Sequence, residues 1–194
     1  MRNLVFIVSW IFLLSACGGN HDYSPKPRGY FRIPFPPKAY QTFDTAGCPF
    51  TFLYPKYAHI EPDHHKGAKP CWLNVKFPQF NGTLHLTYEH LSPAVRLDTL
   101  TEHAHKYAFK NTIKATSIDE GAIYYPDRKL YGIYYTIDGN AASSAQFYFT
   151  DSTKNYLRAA LYFYNEPRID SIQPVLNFIK KDMNVMIGSF RWKK

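Results

Sequence analysis

The stretch ATSIDEGAIYYPDRKLYGIYYTIDGNAASSAQFYFTDSTKNYLRAALYFY, residues 115–164, decides the fold. Its β-branched and aromatic residues favour extended backbone. Three short polar breaks divide it: Pro126-Asp127-Arg128, Asp138-Gly139-Asn140 and Asp151-Ser152-Thr153. The spacing predicts strands at about 115–125, 129–137, 145–151 and 156–164. Connections this short join antiparallel neighbours, because a parallel crossover needs a dozen residues or more. The segment therefore reads as a meander. Side chains alternate between the two faces of a strand. One face is expected to carry Ile133, Phe147, Phe149, Leu157 and Leu161, the other Tyr134, Tyr148, Tyr162 and Tyr164 beside Gln146 and Arg158. The Tyr-lined face has two readings. Either a helix covers it and the hydroxyls reach the rim, or it is an exposed aromatic platform for a glycan or a protein.

Helices flank the meander. Upstream, Leu97, Leu100, Ala104, Tyr107 and Ala108 recur at helical spacing after a start signal at Ser92-Pro93. Downstream, Asp170 and Gln173 make a capping-box-like start. Ile172, Val175, Leu176, Ile179, Met183, Met186, Ile187 and Phe190 then trace one apolar face, with Lys180, Lys181 and Asp182 on the other side. Ahead of the first helix, Phe50-Thr51-Phe52-Leu53-Tyr54 reads as a strand. Residues 55–70 read as a loop, and the strands around 72–77 and 83–88 form a hairpin across Asn81-Gly82. Strands, helix, meander and helix in this order predict an α+β fold: an antiparallel β-sheet meander with two amphipathic helices packed on it, an α-β-α sandwich. The arrangement resembles the Mog1/PsbP-type sandwich, an analogy of pattern that implies no function.

The chain has 194 residues, 23 Lys+Arg and 15 Asp+Glu, for a formal charge of +8. Hydrophobic residues at 45% and aromatics at 18% exclude a disordered polar chain. The one long apolar run, Leu4 to Leu14, is too short for comfortable spanning and excludes a multi-span membrane protein. It follows a minimal positive start and ends in Leu14-Ser15-Ala16-Cys17, which resembles a bacterial lipobox. Residues 1–16 are then a lipoprotein signal peptide and Cys17 is the lipidated residue. The alternative is an ordinary secretory signal with a stray Cys. A buried methylene contributes about 0.8 kcal/mol, so several acyl chains anchor a protein without a helix. Gly18-Gly19 carries no Asp retention signal, so the outer membrane is expected over the inner, with the domain facing the periplasm.

Residues 17–44 read as a Pro-rich tether and 45–194 as a single α+β domain. The tether holds five prolines, and Lys26-Pro27-Arg28-Gly29-Tyr30-Phe31-Arg32-Ile33 interleaves cations with aromatics. It is either a linker whose aromatics pack on the domain or a docking segment in which Arg28, Tyr30 and Phe31 meet a partner. With Cys17 lipidated, Cys48 and Cys71 remain as an even pair in an oxidising compartment. They read as a structural disulfide. Two free buried thiols are the alternative, and no C-x-x-C supports redox chemistry.

Tests for chemistry are negative. His59, Glu61, Asp63, His64 and His65 crowd one loop, but residues one or two apart rarely converge on a metal without a further anchor. No phosphate loop, G-x-S-x-G elbow or H-E-x-x-H occurs, and no acid/base pair of carboxylates stands out. No catalytic residue, metal or cofactor is expected. Cations are spread among turns and helix faces, so nucleic acid is not an expected partner, and anionic lipid or surface polysaccharide fits better. Four Asp precede Ser or Thr, at Thr45, Thr99, Ser152 and Ser171. This resembles the O-glycosylation acceptor of Bacteroidetes periplasmic proteins, although helix caps and turns favour the same pairs.

Together these residues resemble the gliding motility lipoprotein GldD family of Bacteroidetes. The carriers are Cys17-Gly18-Gly19, Pro25 to Ile33, Cys48-Pro49-Phe50, Tyr54-Pro55-Lys56-Tyr57, Cys71-Trp72-Leu73-Asn74, Gly82 to Leu86, Gly139 to Ser144, Gln146-Phe147-Tyr148, Asp151 to Lys154, Leu157 to Phe163 and Phe190-Arg191-Trp192. The resemblance implies a membrane-anchored envelope lipoprotein required for gliding, linked to the type IX secretion system. It implies help in assembling or localising that machinery rather than catalysis, with other gliding or secretion proteins as partners. The competing expectation is a peptidoglycan- or glycan-binding module built on Tyr134, Tyr148, Arg158 and Tyr162.

Overall fold

The computed structural model describes residue 29, residues 32–164 and residues 168–193. The chain divides into Met1–Pro34 and Phe35–Lys194, and the fold is that of the second unit. The signal peptide, Cys17, Arg28, Tyr30 and Phe31 lie outside the described residues.

Among the described residues two sheets form the unit. A seven-stranded antiparallel sheet runs β3-β4-β5-β9-β8-β7-β6. Its strands are β3 (His59–Pro62), β4 (Leu73–Phe77), β5 (Gly82–His90), β6 (Ala115–Tyr125), β7 (Leu130–Gly139), β8 (Ser143–Thr150) and β9 (Asn155–Phe163). A three-stranded sheet, β1-β2-β10, joins β1 (Tyr40–Phe43), β2 (Phe50–Pro55) and β10 (Arg191–Trp192). Helix α1 spans Leu97–Phe109 and α2 spans Ile169–Ser189. The helices lie on opposite faces of the large sheet, so the unit is the expected α+β sandwich of antiparallel strands between two helices.

The α2 side holds the aromatic core. Phe50, Phe149 and Phe190 are fully buried, and Phe190 packs 4.3 Å from Phe149 and 5.6 Å from Phe50 between ring centroids. Leu176, Ile179, Met183, Met186 and Ile187 are buried along the helix, as its spacing predicts. The α1 side is built differently. Ala104 and Ala108 are buried against Tyr135, Tyr148 and Tyr156. Small residues on the helix leave room for rings standing up from the sheet.

Three expectations about elements change. Tyr40–Phe43, within the stretch expected as a tether, is a strand paired with β2. The prolines around it hide a short strand that is held by Phe43 stacking 5.0 Å from Phe52. Within the expected loop 55–70, His59–Pro62 pairs with β4 as an edge strand; its Pro62 is tolerated at an edge. Neither helix start follows its signal. Ser92 and Val95 close a bridged turn and α1 begins at Leu97, while α2 begins at Ile169 with Arg168 at its N-cap and no side-chain cap.

Gly132 is required by close approach. A Cβ there would sit 1.9 Å from the Tyr148 carbonyl oxygen. Gly139 is required by its φ of 95°, a conformation that L side chains rarely adopt.

Candidate functional site: the open half of the sheet face

Strand register places the expected binding residues. Tyr148 faces Ile133 across β7–β8 and Arg158 across β8–β9. Tyr134 faces Phe147 and therefore belongs to the opposite face, with their rings 6.0 Å apart. The expected grouping of Tyr134 with Tyr148, Arg158 and Tyr162 is thus corrected, as is that of Ile133 with Phe147. The cause is parity: shifting a pairing by one residue sends every side chain of a strand to the other face. The β7–β8 connection holds one residue more or fewer than that grouping requires.

The Tyr-lined face is half covered. Tyr148 is 8% exposed and stacks 5.6 Å from Tyr156 under α1. Burial raises the phenol of Tyr156, and it raises that of Tyr135 to about 12, so these hydroxyls stay protonated. The Tyr156 hydroxyl donates to the Leu100 carbonyl at 3.2 Å, which ties the helix down. A three-ring platform open to solvent therefore does not form.

Beyond α1 the same face is only partly buried. There β4, β5 and β9 present Asn74, Thr87, His85, Arg158 and Tyr162. His85 meets Tyr162 edge-on at 5.7 Å. Burial lowers the His85 pKa, so the imidazole is neutral at neutral pH. Arg158 donates through Nη2 to Gln146 Oε1 at 2.5 Å and sits 4.8 Å over the ring of Tyr107. Tyr107, expected in the apolar face of α1, is instead 47% exposed and forms the wall of this strip. Asn74 Oδ1, Thr83 Oγ1 and Arg158 Nε are buried without a hydrogen-bond partner among the described residues. Buried polar atoms are normally paired, so three such atoms on one sheet face are unusual. At the β3 edge, Glu61 pairs with Lys76, whose ammonium holds the Glu61 carboxyl below its ordinary value.

The remaining sequence candidates are scattered. Cys48 and Cys71 are joined in a disulfide with Cα atoms 5.5 Å apart. Thr45, Thr99, Ser152 and Ser171 are exposed. Asp98 accepts the Thr99 N–H at 2.7 Å. Asp151 accepts the N–H groups of Thr153, Lys154 and Asn155. Burial alone would raise the Asp151 carboxyl, but these donors hold it below its ordinary value. Among the described residues no group of three His, Cys, Asp or Glu could hold a metal ion. No helix among them is long and apolar enough to cross a membrane.

One polar cluster escaped the sequence reading. Asp182, expected on the solvent side of α2, is 2% exposed. It accepts from Lys38 Nζ at 2.7 Å, Tyr40 OH at 2.8 Å and Tyr57 OH. Lys38 also sits 3.3 Å over the Phe178 ring. The signal was present: Asp182 is three residues after Ile179 and four before Met186, which is core spacing.

The described residues thus form an antiparallel α+β sandwich with one half-open polar-aromatic face. The sequence matches the family described as gliding motility lipoprotein GldD over residues 20–192, and the chain belongs to that family. It is also similar to the cyanobacterial PsbP protein CyanoP from Synechocystis sp. PCC 6803, with 16% identity and a TM-score of 0.46. That likeness covers 81% of this chain and 94% of CyanoP. No curated protein matches the chain.

Proposed function

We propose that this protein is a lipid-anchored envelope adaptor. It is held by acylated Cys17 in the outer membrane, faces the periplasm and supports assembly of the gliding machinery, the type IX secretion system or both, without catalysing a reaction. Family membership supports the gliding association and the lipoprotein character. The adaptor role rests on the open strip of Tyr107, Arg158, Tyr162 and His85, where a cation and aromatic rings stand beside polar atoms that lack partners. Aromatic and Arg side chains beside unpaired polar groups are what protein interfaces use as anchors. Arg28, Tyr30 and Phe31 extend the proposed docking chemistry into the tether. Exposed Thr45, Thr99, Ser152 and Ser171 are proposed O-glycosylation acceptors, tested by intact mass before and after chemical deglycosylation.

A clean deletion strain tests the role. Its culture supernatant is expected to lose proteins that carry type IX targeting domains, and complementation is expected to restore them. An unchanged supernatant together with normal colony spreading would refute the adaptor role.

A further inference from the structure

The turns β6–β7 and β8–β9 and the final strand β10 enclose a cleft of about 650 Å³ on the Trp192 side of the unit. Ligand sites commonly span roughly 300–1,000 Å³. Five cations line it: Arg128, Lys129, Lys154, Arg191 and Lys193. Asp127 and Asp151 are the carboxylates in the same walls.

The balance of charge is set by what each group already binds. Asp151 is spent on its own turn, where both oxygens accept from backbone and Asn155. Asp127 lies 3.8 Å from Arg128 Nε. Lys193 pairs with Asp44 at 2.5 Å. Arg128 is fixed: its side chain is 7% exposed, its guanidinium stacks 3.9 Å from Tyr125, and Nη1 donates to the Gly188 carbonyl at 2.5 Å. Arg191 donates to the Phe190 carbonyl at 2.8 Å. Carbonyls satisfy donors but lend only about half an elementary charge at a helix end. Lys129, Lys154 and Arg191 have no ion pair with a carboxylate among the described residues. The cleft therefore keeps a positive surplus, and concave walls of low dielectric focus such a field.

Lys129 and Ser152 hold left-handed backbone, with φ of 52° and 65°. Trp192 closes one side, packed 4.7 Å from Phe190, and its buried Nε1 has no acceptor among the described residues. Cations converging from two turns and a strand suit a group with several charged oxygens. The indole offers an apolar wall for whatever carries that group.

We propose that this cleft binds a phosphate monoester, carried by an envelope saccharide or by a lipid headgroup. Lys129 and Lys154 supply mobile ammonium donors from the two turns, Arg191 a guanidinium donor from β10, and Arg128 a fixed background charge. The site is separate from the docking strip, which lies on the opposite face of the large sheet from Trp192 and Phe149.

The test uses the full acylated chain in phosphatidylcholine nanodiscs, with the indole N–H signal of Trp192 as reporter. Inorganic phosphate is titrated at constant ionic strength against chloride. The expected result is a saturable shift with phosphate that chloride does not reproduce. Lys129→Glu/Lys154→Glu should weaken it by roughly tenfold or more. Both lysines are exposed, so the double variant should keep the wild-type Tm. Nanodiscs with about one phosphatidic acid in five lipids separate the sources. A signal already shifted there assigns the lipid headgroup, and a signal still moved only by added phosphate assigns a soluble ester. A phosphate shift no larger than that from chloride, or one unchanged in the double variant, would overturn the proposal.

Discussion

Replacing Asp182 with Ala removes the shared acceptor of Lys38, Tyr40 and Tyr57. These donors come from the segment just ahead of β1, from β1 and from the β2–β3 connection, so one carboxylate on α2 holds three parts of the fold. Breaking a buried ion pair by removing one partner costs about 3–5 kcal/mol. Lys38 keeps 30% of its side chain exposed, so water recovers part of its loss and the lower figure, about 3 kcal/mol, applies. For a domain of this size each kcal/mol shifts Tm by about 2–4 °C, so the midpoint should fall by about 6–12 °C. Circular dichroism of the detergent-solubilised chain reads this directly. Limited proteolysis should also cut earlier between Phe35 and Phe43, which lose their fastening to α2. Asp182→Asn keeps one oxygen acceptor and should lie between the two. A drop below about 3 °C for Asp182→Ala would show that the cluster contributes little and refute the reasoning.

Further outcomes follow from the same geometry. Burial, then the hydrogen bond and charge of Asp182, raise Tyr40 to about 12 and push Tyr57 higher. Stability should hold up to the ordinary tyrosine value of 10 and fall as pH rises towards the folded-state values; Tyr57→Phe should reduce that slope in alkaline melts. His85 is displaced the other way by burial. Stability should be full above 6.5 and decline as pH falls through the lowered value, and His85→Gln should flatten this acid limb of the Tm profile. Gly132→Ala drives a Cβ into β8 and should cost more than about 2 kcal/mol, seen as a lost midpoint or an insoluble chain. Cys48→Ser/Cys71→Ser opens a link spanning 23 residues and should cost about 3 kcal/mol, matched by adding reductant to the parent chain.

The meander was legible because its strands are long, β-rich and separated by polar turns, so β6 to β9 fall close to their expected positions. The strands that were not legible are short. β1 and β3 have four residues each and β10 has two, and such pieces exist only because partners pair with them. Which face each tyrosine takes was not legible either. Alternation fixes faces within a strand, but the relation between strands depends on the connecting backbone, and Tyr134 fell on the other side. Arg158 and Tyr162 remain on the open strip, while Tyr148 is covered because Ala104 and Ala108 let α1 settle on it. Tyr107 was misplaced for a related reason: it has helical spacing but lies at the border of the interface. Asp182 was missed because its charge outweighed its position in the pattern, and its partners are more than a hundred residues away in sequence.

The central claim is that the open strip docks a component of the machinery, and site-specific photo-crosslinking tests it most directly. A photoreactive residue at Thr87 or Tyr107 samples the strip, and one at Tyr124, 69% exposed on the β6 edge strand, serves as control. In cells that still glide or secrete, positions 87 and 107 should give the same discrete adduct with an envelope machinery protein, and position 124 should not. Equal adducts from all three positions, or none from the strip in fully functional cells, would contradict the account.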